Sequence, residues 1–239
     1  SPYLVNEFQY HPKFLEAIIG QYNPHIWNNP KIKPGIYPES VWDFGELNCS
    51  IVEEYRKSNN LDSRLYWRGS LYNNLNNNYG EYLGARKTLE LLPNILKEKF
   101  YFGDNPVIFD QYIQEVINFK LILTIGGGGG YIGAKCGDIC FRDIEMFGLG
   151  IPTIRPKYII ETSDPLIPDY HYISVDVEFD LKYKYINHNQ IANNIAQRYY
   201  KVINDNEYLN YISSNARKWY IKNISSINIT NNLINLLTL

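Results

Sequence analysis

The sequence has little cysteine, only Cys49, Cys136 and Cys140 among 239 residues. An odd count, with Cys-x-x-x-Cys spacing for the last two, favours neither a disulfide framework nor a zinc site and fits a reducing, cytoplasmic compartment. There is also no excess of charge of one sign. Twenty-three Lys and Arg against 25 Asp and Glu leave a net charge of -2, which provides no global basic field for nucleic acid or an anionic membrane. Apolar stretches such as 121–125 fall far short of the ~20 residues a membrane helix needs, and no charged-then-apolar leader pattern opens the sequence. No nucleic-acid partner and no membrane span are therefore expected. A Walker A loop is excluded as well, because Gly133-Ala134-Lys135-Cys136 lacks the Gly-Lys-Ser/Thr ending.

What is present is an ordinary globular composition, 45% hydrophobic and 20% charged, enough to build a proper core. Residues 1–60 hold Pro24, Pro30, Pro34 and Pro38, with helices predicted over 13–20 and 50–57. That is too little for an independent α/β domain, and the segment reads as a small irregular or helical remnant of an acceptor domain. Over 61–239 the texture changes to alternation. Strands are predicted at 64–71, 100–103, 119–125, 151–156 and 171–175, and helices at 84–97, 108–118, 138–149, 189–203, 206–220 and 227–237. The implied fold class is α/β, a Rossmann-like doubly wound parallel sheet whose ligand crevice lies beyond the carboxyl ends of the strands.

Three stretches just after strands carry the candidate chemistry. The first is Trp67-Arg68-Gly69-Ser70, with Arg86 farther on. A guanidinium grips phosphate through two parallel hydrogen bonds, and the glycine lets the backbone turn close to a ligand. The second is the five-glycine run 126–130, entered from an apolar strand. The amides of Gly128, Gly129, Gly130 and Tyr131 can approach an anion closely, and a helix that follows turns its positive end toward them. The third is 136–156, where Asp138, Arg142 and Glu145 share one helical face and Cys140, Ile144 and Phe147 its apolar neighbour. Two turns along, about 10 Å by axial rise, Glu145 is placed to hold a ribose whose phosphates sit at the helix start.

A strand, a glycine-rich turn, a helix with an acidic residue and then Gly150-Ile151-Pro152-Thr153-Ile154 resemble the C-terminal, donor-binding domain of GT-B glycosyltransferases. Trp67-Arg68-Gly69-Ser70 also resembles the Phe-Arg-Gly strand of the family 90 enzymes, which include CAP10-like and protein O-glucosyltransferases. The resemblance spans about 64–175. It implies a hexosyltransferase-like transfer from a nucleotide-diphosphate sugar, UDP-linked rather than GDP-linked, to a hydroxyl of a glycan or protein acceptor, with no cofactor. Glu145 would be the ribose ligand; Arg68, the glycine amides, Tyr131 and Arg142 would hold the diphosphate. Because Asp-x-Asp is absent, the transfer would be metal-independent. A catalytic base would come from the N-terminal segment, where Asp43, Glu46, Glu53 and Glu54 are the carboxylates at hand and the first two the candidates. Three alternatives remain at this stage: a non-catalytic nucleotide-sugar-binding module, a sugar-nucleotide epimerase on the same scaffold, and an NAD(P)-dependent oxidoreductase suggested by Gly128-x-Gly130-x-x-Gly133.

Overall fold

A computed structural model describes residues 17–19, 32–34, 45–69, 87–103, 105, 107–125, 139–158, 162, 164–178 and 187–224. Strands β1 (Ala17–Ile19) and β2 (Ile32–Pro34) form a two-stranded parallel pair. Next come helix α1 (Gly45–Ser58), β3 (Asp62–Arg68), α2 (Lys87–Leu96), β4 (Phe100–Gly103), α3 (Phe109–Val116) and β5 (Phe119–Leu123). The series continues with α4 (Phe141–Leu149), β6 (Thr153–Pro156), β7 (Ile173–Val175), α5 (His188–Val202) and α6 (Asn206–Asn223). The expected helix over 13–20 is corrected, since Ala17–Ile19 is a strand. Ala-Ile-Ile is a short apolar run, and period alone cannot tell such a run in a strand from one in a helix. The helix predicted over 227–237 lies outside the described residues.

Strands β3 to β7 make one five-stranded sheet in the order β4-β3-β5-β6-β7, with every pairing parallel. The chain is thus α/β with a parallel sheet covered on both faces. Side chains of a strand alternate between faces, and the core divides accordingly. Leu65, Trp67, Leu121, Leu123, Ile154, Ile173 and Val175 pack with α2 and α5 on one face. Tyr66 and Ile122 pack with Tyr112 and Val116 of α3 and with Met146 and Leu149 of α4 on the other. Leu121, Ile122 and Leu123 have no exposed surface, as expected of a central parallel strand, and each contributes about 1.5–3 kcal/mol by burial. Helix α6 adds Leu209 and Ile212 to the first layer and Ala216, Trp219 and Tyr220 to a third cluster with Ile144, Phe147 and Tyr172.

From β3 the chain first steps to one side through α2 to reach β4, then returns across β3 through α3 to β5. Right-handed crossovers place the two connecting helices on opposite faces when the direction reverses, which is where α2 and α3 lie. Counted within the sheet the order is 2-1-3-4-5, a doubly wound order whose switch point falls between β3 and β5. Helix ends are fixed locally. Asn187 and Asp205 cap α5 and α6 by accepting from Gln190 N and Tyr208 N, and Gly150, at φ 64°, supplies the left-handed residue that ends α4. Among the described residues no helix is long and apolar enough to cross a membrane.

His171, buried beside Trp219, accepts the Ile167 N–H on Nδ1 at 2.9 Å. Burial pushes its pKa down to about 4, below the ordinary 6.5, so the unfolded chain binds the proton first as pH falls. Stability from this residue is complete above about pH 6.5 and is lost as pH drops toward 4. Urea unfolding should show a loss of up to about 2 kcal/mol from this group between pH 7 and 5, and His171→Gln should flatten that part of the profile.

Candidate functional site

Two expected ligand stretches leave the sheet at its switch point. The register Tyr66↔Ile122 sets the end of β3, Arg68-Gly69, beside the end of β5, Leu123-Thr124-Ile125, from which the glycine run departs. Gly69, just past β3, has φ 156°; a Cβ there would meet Trp67 at 3.1 Å and Arg142 NH2 at 3.7 Å. Its N–H bonds to Gly103 O at 2.9 Å. Asp43, Arg86, Gly126 to Gly130, Tyr131 and Asp138 lie outside the described residues. Glu46 belongs to α1, but its side chain is not described.

Arg68 and Arg142 meet different fates. The Arg68 guanidinium donates Nε and NH2 to Glu115 at 2.6 and 2.8 Å, NH1 to Asn105 O at 2.8 Å, and NH2 also to the Tyr101 hydroxyl at 3.2 Å. The hydrogen bond to Glu115 outweighs burial and raises its pKa. Burial pushes Glu115 up, but its bonds to Arg68 and Tyr101 bring it below the usual carboxylate range. All three guanidinium nitrogens of Arg68 therefore have acceptors, and the pair ties β3 to α3.

Arg142 stands at the second position of α4. Its guanidinium carbon lies 5.9 Å from the Trp67 ring centre and 5.5 Å from that of Tyr112. It forms no ion pair with any carboxylate among the described residues, and its Nε is buried without a hydrogen-bond partner, as is the Tyr112 hydroxyl. Burial works against its charge, but Tyr112, Cys140 and Glu145 outweigh that and hold the guanidinium above its ordinary range. One turn on, Glu145 is half-buried. Burial raises its carboxyl pKa, Arg142 opposes the rise and Asp143 adds to it. The Thr124 hydroxyl, just past β5, is another buried group without a hydrogen-bond partner among the described residues; by strand alternation it faces the α3 and α4 side.

This arrangement is a cationic side chain with no carboxylate ion pair among the described residues, near two aromatic rings at the end of the switch strands. Chemically it suits an anion whose oxygens would accept from the guanidinium, with Glu145 available as an acceptor nearby. The sequence pattern singled out Arg142 and Glu145 but gave no reason to choose Tyr112, whose spacing with Val116 reads only as an apolar helix face. Glu115, Asp143 and Arg155 also escaped notice. Among the described residues no cluster of three or more His, Cys, Asp or Glu is suited to hold a metal ion.

A cavity of about 580 Å³ opens elsewhere, beside Lys120 at the start of β5 and Pro152 just before β6, the end of the sheet opposite the switch crevice. Its cations are already engaged. Arg56 donates to Ile117 O and Phe119 O at 3.0 and 2.7 Å, at the C-terminus of α3, while Lys57 and Arg217 both pair with Glu53 at 2.6 and 2.5 Å. Cations at helix C-termini offset the helix dipole, so this cavity is explained by packing and the crevice is the better candidate.

A Cβ at Gly103 would fall 2.6 Å from Arg68 Cζ. Gly103→Ala should therefore displace Arg68 from Glu115 and cost about 1–3 kcal/mol, measurable by urea unfolding; unchanged stability would contradict this packing. No protein-family model matches the chain, and no curated protein matches it in sequence.

Proposed function

We propose that the chain binds a nucleoside-diphosphate sugar, UDP-linked rather than GDP-linked, at the carboxyl ends of β3 and β5 and serves as the donor-binding part of a GT-B-type glycosyltransferase. The observation that carries the reading is Arg142, a guanidinium with no carboxylate partner among the described residues, set between Trp67 and Tyr112 at the switch point. The likeness of 64–175 to GT-B donor domains and of 67–70 to the family 90 enzymes supports the choice of ligand.

In this reading the diphosphate accepts hydrogen bonds from Arg142 and from the amides of Gly128, Gly129, Gly130 and Tyr131, while Glu145 accepts from the ribose hydroxyls. Arg68, held by Glu115, contributes mainly by fixing the end of β3. Transfer forms a bond from the acceptor hydroxyl oxygen, on a glycan or protein, to the anomeric carbon. The sugar–phosphate bond breaks with its electron pair going to the diphosphate, and the hydroxyl proton goes to a carboxylate, for which Asp43 and Glu46 are the candidates. Arg142 would offset the charge that develops on the leaving diphosphate.

Isothermal titration tests the binding half. UDP should bind the wild-type chain more tightly than GDP, and Arg142→Ala should weaken UDP binding roughly 10- to 100-fold, the worth of a charged hydrogen bond at about 1.5–3 kcal/mol. Glu145→Ala should weaken it less, and the wild-type affinity should fall as pH drops through the raised pKa of Glu145, because only the carboxylate accepts two hydroxyls. Absence of UDP binding, or binding of NADH in its place, would refute the proposal.

A further inference from the structure

Asp143 and Arg155 form an ion pair in which neither side chain has any exposed surface. Asp143 is the third residue of α4. Its Oδ2 accepts from the Cys140 N–H at 2.9 Å, closing the first turn of the helix, and also from Arg155 NH1. Arg155 comes from β6, donates Nε to Pro156 O at 2.9 Å, and lies with its guanidinium carbon 3.5 Å from the Tyr158 ring centre. Tyr158 in turn packs edge-on against Tyr172. The strand that supplies Arg155 is the neighbour of β5, and their pairing runs on past β5 to Thr124 N, which donates to Ile154 O at 3.0 Å. The first turn of α4 is thus tied to the backbone next to the point where the glycine run begins.

Burial of such a pair does little for stability, because desolvation offsets the attraction and apolar residues of equal volume serve as well or better. What a charged, hydrogen-bonded pair supplies is direction. We infer that Asp143 and Arg155 act as a positioning pair: they fix the rotation and height of the first turn of α4 over the sheet and so hold Arg142 between Trp67 and Tyr112. The inference rests on the donor-site reading for its functional meaning. Arg155 has a second effect, since an unpaired Asp143 next in sequence to Arg142 would cancel its charge toward an incoming anion. With Arg155 in place the aspartate's charge is paired, which lessens its pull on Arg142.

These two effects oppose each other in Asp143→Asn, which makes the variant informative. Removing the negative charge by itself favours an anion; releasing the helix end disfavours it, and positioning requires the second to prevail. Two signals are read on the chain labelled with nitrogen-15. The first is the Arg142 Nε–H resonance without ligand, with Arg68, held by Glu115, as the internal reference. The second is UDP affinity. In Asp143→Asn the Arg142 resonance should shift and exchange faster with water while that of Arg68 stays put. UDP binding should weaken about tenfold in the wild-type background and not further in Arg142→Ala. An unmoved Arg142 resonance, or UDP binding that is unchanged or tighter, would overturn the inference. If Asp143→Asn fails to fold, Arg155→Lys, which keeps the charge but not the planar fork, is read in the same way. A wild-type chain that binds no UDP, together with an Arg142 resonance that moves in the variant, would remove the donor reading and leave the positioning of Arg142 standing.

Discussion

The parallel pairing of β3 with β5, with β4 on the far side of β3, is the constraint on which the rest depends. Reversal of direction at β3 puts α2 and α3 on opposite faces, so both faces of the sheet are covered and its central strands read as nearly unbroken apolar runs. The same reversal sends the helices that follow β3 and β5 to opposite faces, the place where a doubly wound sheet opens a crevice. Every residue of interest at the crevice owes its place to this: Arg68 and Gly69 end one strand, Thr124 follows the other, and Tyr112 and Arg142 come from the helices that connect to β5.

Within that crevice two arginines divide the work. Arg68 directs its donors to Glu115, Asn105 and Tyr101 and ties β3 to α3. Arg142 has aromatic neighbours and no carboxylate ion pair among the described residues, which is why the proposed anion is assigned to it. The difference follows from geometry: Glu115 lies within reach of the end of β3, whereas the nearest acidic neighbour of Arg142 in sequence, Asp143, is turned inward by Arg155.

Much of the architecture was legible in the sequence. Apolar runs with period 2 and period 3.6 located the strands and helices from β3 to α6 to within a few residues, and their alternation implied the parallel sheet. The short N-terminal run was misread because Ala17-Ile18-Ile19 carries no period long enough to decide between helix and strand. The placement of Arg142 and Glu145 a turn apart on one helix was legible from helical spacing. Arg68 was legible as a strand-end cation, but its acceptor, Glu115, lies 47 residues away, beyond any local pattern. Asp143 and Arg155 carried a faint signal. Counting alternate positions from Ile154, which packs toward α2 and α5, puts Arg155 on the α4 face inside a fully buried strand, where a guanidinium demands a partner. The expectation that Asp138 shares a helical face with Arg142 falls on residues outside those described, and the described helix begins only at Phe141.

In the proposed donor site an anion of a nucleotide enters at the end of β3 and β5 and meets Arg142. A crystal structure of the chain grown with UDP tests this directly. The diphosphate is expected within hydrogen-bond distance of the Arg142 guanidinium, with the ribose toward Glu145. UDP found at the opposite end of the sheet, near Arg56 and Arg217, or a diphosphate with Arg142 left without contact, would contradict it.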